Sequence, residues 1–178
     1  MLVNLSDVFS SEGKTVTIAA ALEMTKFASR LGEFSITEKS PVTLILRNIG
    51  NGKAKIEGHA ELVFDTSCDR CLTEVPTALT LRFDKEVASP DTAVEDSIEE
   101  GDSEADELNF MEGYQLNVET FVYNEILLNW PMKILCKDDC KGICSVCGHN
   151  LNLGECGCDR FVPDPRMAAI QDIFNASK

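Results

Sequence analysis

A chain of 178 residues that is 44% hydrophobic is long enough for one ordinary domain, or a domain with a smaller appendage, and can bury a core without disulfide staples. No stretch approaches the roughly 20 apolar residues that span a bilayer, and the start, with neither a basic n-region nor an apolar h-region, predicts no signal peptide and therefore a cytoplasmic protein with reduced thiols. The net charge of −14 gives no general drive toward RNA, whose phosphates call for Lys and Arg.

Near the start, Val16, Ile18, Ala20 and Leu22 alternate as in a strand. The next stretch is open: Met24, Phe27, Ala28 and Leu31, followed by Gly32, also fit a short helix with a glycine C-cap. Val42, Leu44 and Leu46 alternate again, and Asn51-Gly52 supplies the positive-φ residues of a tight hairpin turn. Residues 53–64 form the clearest strand, with polar odd positions (Lys53, Lys55, Glu57, His59, Glu61) and small or apolar even ones (Ala54, Ile56, Gly58, Ala60, Leu62, Phe64). Residues 75–83 place Val75, Leu79, Leu81 and Phe83 on one face.

Ser89-Pro90 ends the β-rich half. Residues 91–107 then carry nine acidic side chains and no Lys or Arg, the composition of a linker or solvated loop. From Asn117 the pattern turns helical, with Asn117 as N-cap, Glu119 in the first turn, an apolar face of Val118, Phe121, Val122, Ile126, Leu127 and Leu128, and Pro131 as the stop. Beyond the cysteines, Asp164-Pro165 reads as the start of a short amphipathic helix.

The eight cysteines carry most of the chemical information. Cys68 and Cys71 form a Cys-x-x-Cys between two predicted strands; Cys136, Cys140, Cys144, Cys147, Cys156 and Cys158 follow in one compact cluster. Zinc favours four thiolates in a tetrahedron, and a two-residue gap lets one turn present two sulfurs to one ion. Eight thiols make two Cys₄ sets, predicted as Cys144, Cys147, Cys156 and Cys158 in a local site, and Cys68, Cys71, Cys136 and Cys140 in a site that ties the strand hairpin to the chain after the helix. Exchange of Cys140 into the local site stays open, as does a bystander role for one sulfur of Cys156-Gly-Cys158. Iron–sulfur clusters use similar ligands. Thioredoxin-type chemistry at Cys68 and Cys71 needs a helix N-terminus to lower the thiol pKa, and this pair sits between strands.

Full thiolate sets imply closed, structural sites rather than a catalytic zinc with an open position. His59 falls on the wet face of its strand; His149, after Gly148, is read as solvated, with exchange for one cysteine ligand left open. Trp130 and Tyr123 suit core packing. Arg70 and Lys141 lie inside the cysteine clusters, where balancing thiolate charge is the simplest role. No nucleophile–base arrangement and no phosphate-binding glycine loop is present, so no enzymatic activity is expected.

An ordered set of motifs carries a resemblance. Cys68-Asp-Arg-Cys71-Leu72 is followed by Leu127-Leu128-Asn129-Trp130-Pro131-Met132. Then come Cys140-Lys141-Gly142-Ile143-Cys144-Ser145-Val146-Cys147-Gly148-His149-Asn150-Leu151-Asn152, Cys156-Gly-Cys158 and Asp164-Pro165-Arg166. Together they resemble the YceD family, over most of the chain after the first 40 residues. The resemblance implies a bacterial cytoplasmic protein involved in accumulation of large-subunit ribosomal RNA, often encoded beside a large-subunit ribosomal protein. Family members with fewer cysteines imply that zinc supports the fold rather than the shared function.

The expected architecture is α+β: an antiparallel β-rich domain (1–90) carrying the first cysteine pair, an acidic flexible segment (91–108), and a helix plus zinc-knuckle region (109–178), closed by a short helix and packing back on the β domain. The expected function is that of a non-enzymatic zinc-binding accessory factor in large-subunit biogenesis. Its partner is a ribosome-assembly component, with Asp91, Glu95, Asp96, Glu99, Glu100, Asp102, Glu104, Asp106 and Glu107 as a candidate surface for a basic ribosomal protein. Two other functions compete: an RNA-binding zinc module using Lys133, Lys137, Lys141, Arg160 and Arg166, and a thiol redox protein using Cys68 and Cys71.

Overall fold

The computed structural model describes residues 1–93 and 109–158. Of the nine predicted acidic partner residues only Asp91 falls among them, and the predicted helix after Asp164 lies outside the described residues. In chain order the elements are β1 (Leu2–Asn4), α1 (Ser6–Phe9), β2 (Thr15–Ala20), β3 (Lys26–Ser29), β4 (Gly32–Lys39) and β5 (Val42–Gly50). They continue with β6 (Lys53–Ser67), β7 (Glu74–Ala88), α2 (Pro90–Ala93), β8 (Met111–Glu112), β9 (Gln115–Asn117) and α3 (Val118–Asn129). The fold is α+β, with mostly antiparallel sheet and, among the described residues, one long helix, α3. Two compact units emerge: Met1–Thr66 with Val75–Met132, and Ser67–Glu74 with Lys133–Lys178. The units are thus not consecutive along the chain. The loop joining β6 to β7 belongs to the second, and α3 to the first.

The larger sheet is organised by β6. Its first half pairs β5, with Leu46 opposite Ile56 and Leu44 opposite Gly58; its second half pairs β4, with Ile36 opposite Phe64; β7 also pairs it. Alternation explains why, since Ala54, Ile56, Ala60, Leu62 and Phe64 are all buried, so a slip of one residue would turn this whole row to water. The β5–β6 turn uses Asn51 at φ 54° and Gly52 at φ 67°, the positive pair a two-residue hairpin requires. At Gly58 a Cβ would sit 2.0 Å from the Thr43 carbonyl and 3.0 Å from the Phe83 ring, so this even position has room for no side chain.

The stretch open between strand and helix is a hairpin of β3 and β4, with Phe27 opposite Phe34. Leu31, which completed the helix-like spacing, is a turn residue 63% exposed; pairing of β4 with β6 overrides the local pattern. Phe27 is fully buried, its ring centroid 5.1 Å from Trp130, 5.2 Å from Tyr123, 6.2 Å from Phe64 and 6.4 Å from Phe34. Tyr123 Oη donates to the Ala28 carbonyl at 2.8 Å, which keeps its polar end satisfied at the edge of this cluster.

Helix α3 starts where the sequence predicts. The Asn117 side-chain oxygen accepts from the N–H groups of Glu119 (3.2 Å) and Thr120 (3.3 Å), covering two of the orphan donors of the first turn. Val118, Phe121, Val122 and Ile126 are buried, while Leu128, counted in the apolar face, is 69% exposed. Glu125 is buried instead, its Oε1 3.5 Å from Lys85 Nζ. Among the described residues no helix is long and apolar enough to cross a membrane.

Two substitutions test this packing. Phe27→Ala should cost about 3–5 kcal/mol and Asn117→Ala about 1 kcal/mol, read as shifts in the urea midpoint of the full chain. A Phe27→Ala loss below that of Asn117→Ala would contradict the aromatic cluster as the keystone of the first unit.

Candidate metal centre

Two turns of the same design build the second unit. In the first, the Leu72 N–H donates to the Cys68 carbonyl at 2.9 Å and the Cys68 N–H to the Thr73 carbonyl at 2.8 Å. In the second, the Gly148 N–H donates to the Cys144 carbonyl at 2.9 Å and the Cys144 N–H to the His149 carbonyl at 2.8 Å. Each turn sends two sulfurs, three residues apart, toward one point. Each also needs a left-handed residue after its second cysteine, Leu72 at φ 59° and Gly148 at φ 72°. Glycine meets this freely, whereas leucine is strained there.

The first turn is stitched to the later chain. Asp69 N–H donates to the Ile134 carbonyl (2.9 Å) and Asp69 Oδ2 accepts from the Ile134 N–H (2.6 Å). Ile143 N–H donates to the Arg70 carbonyl (3.1 Å), and Arg70 Nη1 donates to the Cys140 carbonyl (2.8 Å). The result is a group of Cys68, Cys71, Cys136 and Cys140 whose sulfurs all lie within 4.8 Å of one another; Cys144, Cys147, Cys156 and Cys158 form a second such group. Cys140 Sγ lies 3.8 Å from Cys68 Sγ, so it belongs with the first group, and both Cys156 and Cys158 belong to the second.

These spacings fit a cation. Cys71 and Cys136 approach to 3.5 Å and Cys68 and Cys140 to 3.8 Å. A disulfide requires about 2.05 Å, whereas four sulfurs at about 2.3 Å from one ion stand about 3.8 Å apart along the edges of the tetrahedron. Proton affinities tell the same story. Burial pushes the Cys68 thiol up, but N–H groups of Cys136, Arg70 and Cys71 bring it down to about 6. Hydrogen bonds from the Thr73 hydroxyl and N–H lower Cys71. Cys136 is pushed up to about 12 by the Cys71 thiol, burial and the Cys140 and Cys68 sulfurs. The second group repeats the division. N–H groups of Cys147 and Val146 lower Cys144 to about 6, and Cys147, Cys156 and burial raise Cys158 to about 12. Backbone donors favour thiolates in both groups, and sulfur crowding forbids four of them until positive charge is supplied.

Polar side chains complete the first group. Thr73 Oγ1 lies 3.2 Å from Cys71 Sγ and accepts from Asn150 Nδ2 at 3.2 Å. Asn152 Nδ2 donates to Cys140 Sγ at 3.2 Å. Thr73, Asn150 and Asn152 escaped the sequence reading, which took the asparagines only as members of a motif. The signal available was an Asn-x-Asn just past a glycine knuckle. Neither histidine joins a group: His59 is exposed on β6, and His149, also exposed, contributes its carbonyl. Lys141 and Lys133 are exposed and Lys137 Nζ is 3.7 Å from Asp139, while Arg160 and Arg166 lie outside the described residues. Asp91 Oδ2 accepts from the Tyr114 hydroxyl at 2.7 Å, and the nearby carboxylate pushes the Tyr114 phenol above its ordinary value.

Comparison with known proteins bears on this arrangement. The sequence model of the family described as large ribosomal RNA subunit accumulation protein YceD matches residues 56–174, a span that holds all eight cysteines. An uncharacterized protein of Mycobacterium bovis and two of Mycobacterium tuberculosis are each 28% identical over 107 residues, covering 60% of this chain and 49% of the relative. The chain therefore spans about half the length of these curated relatives. No solved structure matches it.

The paired turns make opposite predictions. Gly148→Ala should cost about 1–2 kcal/mol through its backbone angle alone, since nothing lies within 4 Å of the added Cβ. Leu72→Gly should relieve similar strain, less about 0.5–1 kcal/mol of added chain entropy, for a net gain of up to about 1.5 kcal/mol. Denaturant titration of the full chain reads both, and equal losses at the two positions would break the equivalence of the turns.

Proposed function

This chain belongs to the family of the large ribosomal RNA subunit accumulation protein YceD, and from that premise we propose that it is a zinc-binding accessory factor in the accumulation of large-subunit rRNA. The observation that carries the metal half of the reading is the pair of four-sulfur groups, each with sulfurs within 4.8 Å of one another. Zinc has no redox chemistry and no geometric preference from its d-electrons, and it takes four thiolates as a closed tetrahedron. Such a site contributes on the order of 10 kcal/mol to folding and leaves no open position for a substrate. In this reading zinc shapes the surface presented to a partner, and the protein has no catalytic step of its own.

The partner is a component of the assembling large subunit, met in the cytoplasm where thiols stay reduced. The acidic set Asp91, Glu95, Asp96, Glu99, Glu100, Asp102, Glu104, Asp106 and Glu107 suits a basic ribosomal protein better than rRNA itself, because like charge repels phosphate. A Cys68/Cys71 redox couple fits less well, since their sulfurs neighbour Cys140 and Cys136 and are committed to a four-membered set.

Native mass spectrometry under metal-preserving conditions should find two zinc ions per chain, falling to one with Cys68→Ser/Cys71→Ser. A zinc-free protein with eight titratable thiols would end the metal reading. In the cell, deleting the gene should lower the ratio of large- to small-subunit rRNA, and an unchanged ratio would end the ribosomal reading. Neutralising the nine acids should abolish recovery of a basic partner. A steeply salt-dependent affinity for rRNA, by contrast, would identify phosphate contacts and replace the protein partner with RNA.

A further inference from the structure

The two sulfur groups share more than a stretch of backbone. Residues 141–153 run through the second knuckle, and this loop carries Asn152, which reaches the Cys140 sulfur, and Asn150, which reaches Thr73 beside the Cys71 sulfur. Ile143 and Asn150 form an antiparallel bridge, reinforced by the Leu151 N–H donating to the Gly142 carbonyl at 2.9 Å. Asn150 Oδ1 then accepts from the Asn152 backbone N–H (3.0 Å) and from Asn152 Nδ2 (2.9 Å). Asn152 Oδ1 accepts from the Lys141 N–H at 2.9 Å. Both asparagines are locked, with their remaining donors aimed at the other group: Asn150 at Thr73, whose hydroxyl touches Cys71 Sγ, and Asn152 at Cys140 Sγ.

Asn150 and Asn152 also lie inside the chain segment that the second group closes. Cys144 and Cys147 stand before them, Cys156 and Cys158 after them, and the four sulfurs meet. An ion that pins these ends together restricts the segment between them. Hydrogen bonds to metal-bound sulfur, in turn, orient the ligand and stabilise its charge, and their loss typically weakens metal binding by roughly 10–100-fold.

We propose that the 141–153 loop couples the two sites. A cation held by Cys144, Cys147, Cys156 and Cys158 fixes Asn150 as a donor to the Thr73 hydroxyl beside Cys71 and Asn152 as a donor to the Cys140 sulfur, and so tightens the Cys68, Cys71, Cys136 and Cys140 site for its own cation. The inference rests on the metal reading above. By linkage the effect is reciprocal, with filling of either site raising the affinity of the other by the same factor. Asn150 and Asn152 are positioning residues, contributing no ligand atom themselves.

Cobalt(II) added to the full chain is the probe. It accepts the same tetrahedral thiolate set, binds more weakly than zinc, so that affinities are measurable, and absorbs visible light where zinc is silent. The unmutated chain should fill both sites in a single steep titration. Cys144→Ser/Cys147→Ser should weaken cobalt at the remaining site by about tenfold. Asn152→Asp keeps every sulfur and the oxygen that accepts from Lys141 but removes the amide donors; it should weaken the first site to a similar extent and split the titration into two steps. Combining the changes should cost no more than the worse of them. First-site affinity indifferent to the second quartet, or losses that multiply, would overturn the coupling while leaving two independent sites. Should the serine variant fail to fold, the Asn152→Asp titration decides alone, and a curve superimposable on that of the unmutated chain overturns the proposal. No cobalt–thiolate absorption in the unmutated chain would remove the metal reading and the coupling with it.

Discussion

Sulfur crowding is the constraint on which the second unit turns. Cys71 and Cys136 are 65 residues apart in sequence, and Cys68 and Cys140 are 72 apart, yet their sulfurs stand at 3.5 and 3.8 Å. Nothing hydrophobic explains so close a convergence of polarisable, ionisable atoms, and in the absence of positive charge their mutual repulsion opposes it. The surrounding backbone nevertheless offers N–H donors to these atoms, an arrangement that stabilises negative charge. The local hydrogen bonds of the second unit, from Asp69 with Ile134 to Arg70 with Cys140, make sense as the frame that holds these sulfurs at tetrahedral spacing.

The two sulfur groups are alike in plan and unlike in setting. In the first, Cys68, Cys71 and Cys140 are buried and only Cys136 is exposed; in the second, Cys144 alone is buried. The Thr73 hydroxyl and the Asn152 amide attend the first group, and backbone N–H groups of Cys147 and Val146 attend Cys144 in the second. A buried site with an outer ring of hydrogen bonds is the more rigid of the two. One member of that ring, Asn152, comes from the loop that the Cys144, Cys147, Cys156 and Cys158 group encloses.

What could be read from the sequence follows the range of the forces involved. The alternation in β5, β6 and β7 announces itself because a pleated strand with one face in the core must alternate, whatever its neighbours do. Asn117 and Pro131 bracket α3 through interactions within one turn. Knuckle spacing and the arithmetic of four ligands predict two groups of four but leave Cys140 exchangeable between them; its approach to Cys68 across 72 residues is what assigns it. The β3–β4 hairpin was ambiguous because Leu31, a turn residue, falls where a helix would place an apolar one, and the deciding partner, β6, lies some distance along the chain. Strands of two or three residues such as β8 and β1 have no period to detect. Glu125, buried on an otherwise apolar helix face, is legible only once Lys85 is seen beside it. Thr73 and Asn150 meet across 77 residues, and Asn152 reaches Cys140 across 12; polar side chains near a glycine turn look locally like any others.

Because the second unit is assembled from segments on both sides of Val75–Met132, its completion has an order in time. A ribosome adding roughly 5–20 residues per second delivers Cys68 and Cys71 well before Cys136, which follows Cys71 by 65 positions. For about 3 to 13 s, at those rates, the nascent hairpin presents a bare dithiol with half a coordination shell. In the zinc reading, any ion caught in that interval would have to be surrendered or shared when the later pair emerges, which would tie completion of the second unit to the cell's metal buffering during that window.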